Sequence, residues 1–262
     1  MQKMIFFDID GTLWDEDYVI PESTKLAIAK LKENGHKTFL CSGRSRSSIQ
    51  AKHLLDLGFD GIVAACGNYI ELNGEVIYNN ILSPEKTKKL VETLKECRMP
   101  VVLEGHEECW IDTEGFEGDA YVDYLFQLLG ERAHPLIGHE DSITINKCSA
   151  DRFDYTDYAR VKRELGEDFD FIEHDGIPVV EIVPKNTSKA TGIAWLCDYF
   201  SIPVEDTYAA GDSVNDLDML MFVGHSIAMG NGVKKIKEAA EYVTDDIHKD
   251  GLYKALDHYG LL

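Results

Sequence analysis

The chain reads as an α/β protein, a doubly wound parallel sheet with an α+β domain inserted into it. Three observations predict this. Near both ends of the chain, short apolar runs alternate with helical stretches, as parallel strands alternate with their crossover helices. Between them lies a stretch of short strands and helices that breaks the alternation. The length, 262 residues, also leaves room for one or two domains.

The elements follow in order. The run Met4-Ile5-Phe6-Phe7 ends in acids and reads as a fully buried strand. Helical periodicity covers 21–32, with Pro21 at its start and Gly35 past its end. A second strand is predicted over 38–41, a helix over 47–57 that stops at Gly58, and a third strand over 62–66. The Asn73-Gly74 turn introduces a hairpin strand at 76–78. The middle section then offers helices at 84–97, 121–129 and 157–165. Its strands are expected at 100–104, 109–111, 142–146, 169–173 and 179–183. The alternation resumes with helices at 188–200, 215–222 and 233–240, strands at 207–210, 226–229 and 242–244, and a last helix over 252–258. The organisation expected is therefore one sheet domain, 1–82 with 185–262, carrying an inserted α+β domain at 83–184.

Composition narrows the partners. A hydrophobic share of 44% with 28% charged residues fits a globular protein and argues against disorder or a membrane-embedded chain. The net charge of −21 should repel nucleic-acid phosphates and anionic membrane faces, so neither is expected as a partner. The six cysteines form no C-x-x-C pair and no dense framework, as in a reducing cytosol, and several lie in apolar runs. The N-terminus meets Asp8 before any long apolar stretch, and no run approaches the roughly 18 residues of a spanning helix. A cytoplasmic location is expected.

Chemistry concentrates at the ends of predicted strands. In Asp8-Ile9-Asp10-Gly11-Thr12, two carboxylates at i and i+2 lie at the carboxyl end of a buried strand, where open α/β sheets bind ligands. Two anions held together are costly without a cation or proton between them, and a hard divalent cation suits oxygen ligands. Gly211-Asp212-Ser213-Val214-Asn215-Asp216 follows another buried strand, with Asp212 and Asp216 four residues apart. If both clusters share one sheet edge, they form a carboxylate cup for Mg²⁺; alternatively, Asp212 or Ser213 only caps a helix. Ser42-Gly43-Arg44 follows the second strand, and a hydroxyl with backbone N–H groups opening a helix can hold a phosphate. Lys189 opens a helix against its dipole, which implies a compensating anion nearby. In isolation, Ser42 reads as an N-cap and Lys189 as a surface lysine. It is their joint order along the chain that points to one site.

Taken together, these motifs resemble the haloacid dehalogenase-like phosphatases, in particular the Cof-type group. The resemblance rests on Asp8-Ile9-Asp10-Gly11-Thr12-Leu13, Cys41-Ser42-Gly43-Arg44 and the run from Glu181 through Lys189 to Ile193. It continues in Gly211 to Asp216 with Met219-Leu220, in Ala228-Met229-Gly230-Asn231 and in Asp250-Gly251. Gly232 and Asn186 depart from the pattern without touching the chemistry, and the inserted domain carries little of it.

The resemblance implies a Rossmann-like core and an Mg²⁺-dependent phosphatase acting on a small phosphorylated metabolite. It implies Asp8 as the nucleophile that forms an aspartyl-phosphate, and Asp10 as general acid and then base. Ser42 and Gly43 would hold phosphoryl oxygens, with Asn215 contacting phosphate or orienting Lys189. Lys189 would neutralise charge on Asp8 and the phosphate. Mg²⁺ would be bound by Asp8, Asp10 (through its carbonyl) and Asp212, supported by Asp216. The stretch between Thr12 and Pro21 is too short for a domain, whereas the interval from Ser42 to Lys189 leaves room for a cap at 83–184 that closes over the site and selects the substrate. Glu104, His106, Trp110 and Tyr121 are its candidate lining residues. A phosphomutase or other phosphotransferase on the same fold and a non-catalytic phosphate or metal sensor are the competing readings.

Overall fold

The computed structural model describes residues 2–139, 143–174 and 176–262. They form two compact units, one of residues 2–43, 51–78 and 188–262, the other of 44–50 and the described residues between 79 and 187.

The first unit is built on an eight-stranded sheet. Its strands, numbered in chain order, are β1 (Met4–Phe7), β2 (Lys37–Cys41), β3 (Gly61–Ala64), β4 (Tyr69–Leu72), β5 (Glu75–Asn79), β12 (Thr207–Gly211), β13 (His225–Ala228) and β14 (Tyr242–Val243). The order is β14-β13-β12-β1-β2-β3-β4-β5. From β14 to β3 every pairing is parallel, and β4 returns antiparallel to β3. This is the parallel sheet read from the sequence.

Alternation along β1 sends its side chains to opposite faces. Met4 and Phe6 join Ile193, Leu196, Met219, Leu220 and Ile236 in one core. Those five partners come from α6 (Lys189–Phe200), α7 (Leu217–Phe222) and α8 (Lys234–Ala239). Helices α1 (Glu22–Glu33) and α9 (Gly251–His258) pack together. β1 is buried throughout, as a central parallel strand covered on both faces must be.

The second unit has a six-stranded sheet. Its strands are β6 (Val101–Glu104), β7 (Cys109–Ile111), β8 (Ala133–Pro135), β9 (Lys147–Asp151), β10 (Phe169–Glu173) and β11 (Val179–Pro184), in the order β10-β11-β9-β6-β7-β8. The sheet is antiparallel except where β7 meets β8. One face carries Leu103, Cys148, Ala150, Val180 and Ile182 into a core shared with Leu90 and Leu94 of α3 (Pro84–Glu96) and Val161 and Leu165 of α5 (Tyr158–Leu165). The alternate residues Glu104, Lys147, Ser149 and Glu181 form a polar network. The Lys147 Nζ donates to Glu181 Oε2 at 2.7 Å and lies 3.2 Å from Glu104 Oε1. Ser149 Oγ donates to Glu104 at 2.7 Å, and His174 Nε2 lies 2.9 Å from Glu181.

Several predicted elements are corrected. The helix expected over 47–57 is a 3₁₀ turn, Arg46–Ser48, and a short α2, Lys52–Leu55. Ser45 Oγ hydrogen-bonds both Ser47 and Ser48, and Ser47 Oγ donates to the Gly105 carbonyl. These local polar bonds compete with helix continuation. The third strand stops at Ala64, because Ala65 and Cys66 adopt left-handed backbone at φ 51° and 52°. Of the strand expected at 142–146, residue 142 lies outside the described residues and 143–146 are irregular; the strand is β9, from Lys147. β4 and β8 went unpredicted.

Candidate active site

All eight sequence-predicted site residues belong to the parallel-sheet unit. Asp8 directly follows β1 and Asp212 directly follows β12, and the pairing of Phe7 with Ala210 brings both to one carboxyl edge. The Asp8 N–H continues the ladder to the Ala210 carbonyl at 3.0 Å. Ser42 and Gly43 follow β2, the strand on the other side of β1. Lys189 opens α6, where the Thr191 hydroxyl accepts the Ser188 N–H at 3.0 Å. Gly67 supports this placement, since a side chain there would overlap the Ser188 carbonyl.

The ammonium of Lys189 ties the edge together. Its Nζ lies 2.5 Å from Asp8 Oδ1, 2.5 Å from Asp216 Oδ1 and 3.4 Å from Asn215 Oδ1. Asp216 turns its other oxygen to the backbone N–H groups of Asp212 and Ser213, each at 2.9 Å. Asp216 therefore links the lysine to the loop that carries Asp212, with both of its oxygens engaged.

Asp8, Asp212 and Asp216 each offer an oxygen within 4.8 Å of the others. The carboxylate of Asp10 lies outside this cluster. It is exposed, and its Oδ1 accepts the Trp14 indole N–H at 2.9 Å. The loop after Asp8 is tightly wound, with the Ile9 carbonyl accepting from Leu13 at 3.0 Å and Trp14 at 3.2 Å. Gly11 sits at φ 75°, where a side chain would be strained and would overlap Asp212 Oδ2.

Electrostatics favour a cation. Burial lowers the affinity of Lys189 for its proton, but Asp216 and Asp8 outweigh it and hold the ammonium well above its ordinary range. Burial, then the Asp216 charge, pushes Asp8 well above the usual carboxylate range. The same two causes push Asp212 up to about 7. With all three carboxyls ionised, one ammonium would leave two excess negative charges, and after burial it is this repulsion that raises Asp8 and Asp212. Asp212 Oδ1 is shielded from solvent and accepts no hydrogen bond from any described residue. A buried, unpartnered carboxylate oxygen beside two more carboxylates is a donor set that fits a divalent metal ion.

Two residues that sequence reasoning gave no role complete the loop. Asn231 Nδ2 donates to the Gly11 carbonyl at 2.7 Å and its Oδ1 accepts the Ile247 N–H at 3.0 Å, so it clamps the acidic turn. Its presence in Ala228-Met229-Gly230-Asn231 was the available signal. Trp14 reaches Asp10 from four residues away, and an aromatic directly after the acidic motif was its only mark. Among the described residues no helix is long and apolar enough to cross a membrane.

Residues 5–256 match the sequence profile of the haloacid dehalogenase-like hydrolases. The chain is 32% identical to YkrA of Bacillus subtilis, across 99% of this chain and 98% of that one. It is 29% identical to the 5-amino-6-(5-phospho-D-ribitylamino)uracil phosphatase YitU of the same organism, across 98% and 97%. Among solved structures, it superposes with a TM-score of 0.84 on BT1666 of Bacteroides thetaiotaomicron, a phosphatase of the same superfamily, at 26% identity over 100% and 96% of the two chains. The subclass IIB sugar phosphatase BT4131 gives the same TM-score at 25% identity, with both chains fully covered. With this likeness running the whole length of the chain, the protein belongs to the haloacid dehalogenase-like hydrolase family and is one of its phosphatases.

Proposed function

We propose that the protein is an Mg²⁺-dependent phosphomonoesterase that hydrolyses a small phosphorylated metabolite, a sugar phosphate or similar ester, through an aspartyl-phosphate on Asp8. The observation that carries this is the Lys189 ammonium held between Asp8 and Asp216 beside the unpartnered Asp212 oxygen. Phosphoryl transfer is chiefly positioning and charge neutralisation, and this edge supplies both.

The Asp8 carboxylate attacks phosphorus while the bond to the leaving oxygen breaks, and Asp10 gives that oxygen its proton. Asp10, now a carboxylate, takes a proton from water as the water oxygen attacks phosphorus. The bond to Asp8 breaks, and inorganic phosphate and a protonated Asp10 result. Lys189 keeps its charge throughout, offsetting the negative charge on Asp8 and on the phosphoryl oxygens. Ser42, the backbone at Gly43 and Asn215 hold those oxygens. The Asp8 and Asp212 carboxylates with the Asp10 carbonyl would hold Mg²⁺, and Asp216 fixes the loop and the lysine behind them. When bound, the ion supplies further charge neutralisation and alignment of the phosphoryl group. The inserted unit acts as the cap that selects the substrate, and the work is done in the cytoplasm.

The substrate class draws on the relatives, whose names specify a phosphorylated ribitylaminouracil and sugar phosphates. The test is a panel of phosphorylated metabolites with Mg²⁺ or with EDTA. The reading expects phosphate release that depends on the metal and is lost in Asp8→Asn. Transfer of the phosphoryl group to a second hydroxyl, with no phosphate released, would make the protein a mutase or phosphotransferase. Binding without turnover would make it a sensor.

A further inference from the structure

Trp14 is buried beside an exposed acid. The residue is 3% exposed, and its indole N–H reaches the Asp10 carboxylate at 2.9 Å. A buried indole N–H requires an acceptor, and it can only donate. The ring is fixed on several sides. Its backbone N–H bonds the Ile9 carbonyl at 3.2 Å, and its own carbonyl accepts from Gly11 at 2.9 Å. The Tyr18 ring meets it edge-on at 5.2 Å, and the His53 ring lies 5.6 Å away. His53 is held in turn by a 3.0 Å contact between its Nε2 and the Tyr18 carbonyl. A rigid donor thus bears on one oxygen of the Asp10 carboxylate, whose terminal torsion is intrinsically broad.

We propose that Trp14 is a positioning residue for Asp10: by holding Oδ1, it presents Oδ2 as the oxygen that carries the proton to the leaving group. This rests on the assignment of Asp10 as general acid. The indole takes no part in proton transfer. It sets the direction in which Asp10 offers its proton, and a misdirected acid penalises most those esters whose leaving group most needs protonation.

The experiment measures kcat/KM of the intact enzyme for p-nitrophenyl phosphate, whose leaving group departs readily, and for phenyl phosphate, whose leaving group departs poorly. Wild type, Trp14→Phe and Asp10→Asn are compared at saturating Mg²⁺. Trp14→Phe is expected to lower the value for phenyl phosphate about ten-fold more than the value for p-nitrophenyl phosphate, a fraction of a general acid's contribution of roughly 10²–10⁴. Asp10→Asn should widen the same ratio further. Because each ratio comes from one preparation, partial unfolding of a variant cancels. An equal loss on both substrates, or no loss, with Trp14→Phe while Asp10→Asn still widens the ratio would overturn the role of Trp14 alone. An unchanged ratio with Asp10→Asn would overturn the general-acid assignment as well.

Discussion

Lys189 and Asp216 form an ion pair in which neither side chain touches solvent, with Nζ and Oδ1 2.5 Å apart. A pair this deep has lost its hydration, and only its geometry and remaining hydrogen bonds repay that cost. Asp216 meets the condition by spending its second oxygen on the Asp212 and Ser213 N–H groups. The same carboxylate therefore sets the lysine and the loop carrying Asp212.

Asp216→Ala removes both functions and leaves a buried ammonium short of one counter-charge. It is expected to lower unfolding stability by about 3–5 kcal/mol, measured by urea titration. Asp216→Asn keeps an acceptor for the loop and should cost less, while turnover still falls about 10²-fold because the lysine is displaced. Wild-type stability in the alanine variant would show that the pair contributes nothing net.

Asp8→Asn separates activity from folding. Burial and the neighbouring Asp216 charge oppose ionisation of Asp8, and an amide removes that like-charge repulsion while its oxygen still accepts from Lys189. The variant should turn over below about 10⁻⁴ of the wild-type rate. In metal-free buffer it should melt no lower than wild type, as expected where a functional group is held at a cost to stability. Retained hydrolysis would remove Asp8 as nucleophile.

The Asp212 oxygen without a partner gives a thermal test of the metal site. At a Mg²⁺ concentration about 100-fold above its dissociation constant, the ion should add about 2.7 kcal/mol to wild-type stability. The resulting rise in melting temperature should shrink or vanish in Asp212→Asn, and Ca²⁺ or Mn²⁺ in place of Mg²⁺ would show how selective the site is. An equal rise in both proteins would place the ion elsewhere.

The sheet edge was legible in the sequence for a physical reason. Asp8, Ser42 and Asp212 each end a short apolar run, and a parallel sheet delivers such positions to one side. What periodicity cannot convey is contact between distant residues. Asn231 meets the Gly11 carbonyl across 220 residues, and nothing local to Asn231 announces that bond. Trp14 looked like one more apolar residue, because the acceptor its indole requires becomes visible only once the loop is closed. The helix expected at 47–57 failed through chemistry that was present in the sequence and misweighed: Ser45, Ser47 and Ser48 bond one another and the Gly105 carbonyl instead of letting the turn propagate.

The second unit carries its own pH dependence in the network around Lys147. Burial alone would raise Glu181, but the Lys147 ammonium and the His174 contact outweigh it and hold the carboxyl well below its ordinary 4.5. An acid whose pKa is lower in the folded than in the unfolded state stabilises fully above the unfolded value. That contribution is lost as pH falls through the folded one. Stability supplied by Glu181 is therefore constant above about pH 5.5 and declines progressively below 4.5. Glu181→Gln should unfold at lower urea near neutral pH, by about 3 kcal/mol, because the buried Lys147 ammonium loses the counter-charge that lies 2.7 Å away. The gap between variant and wild type should narrow as the titration is repeated toward pH 3, because the carboxyl of the unfolded chain takes up its proton there while the folded one resists. A gap that stayed constant from pH 7 to pH 3 would mean that the glutamate contributes through packing and not through its charge.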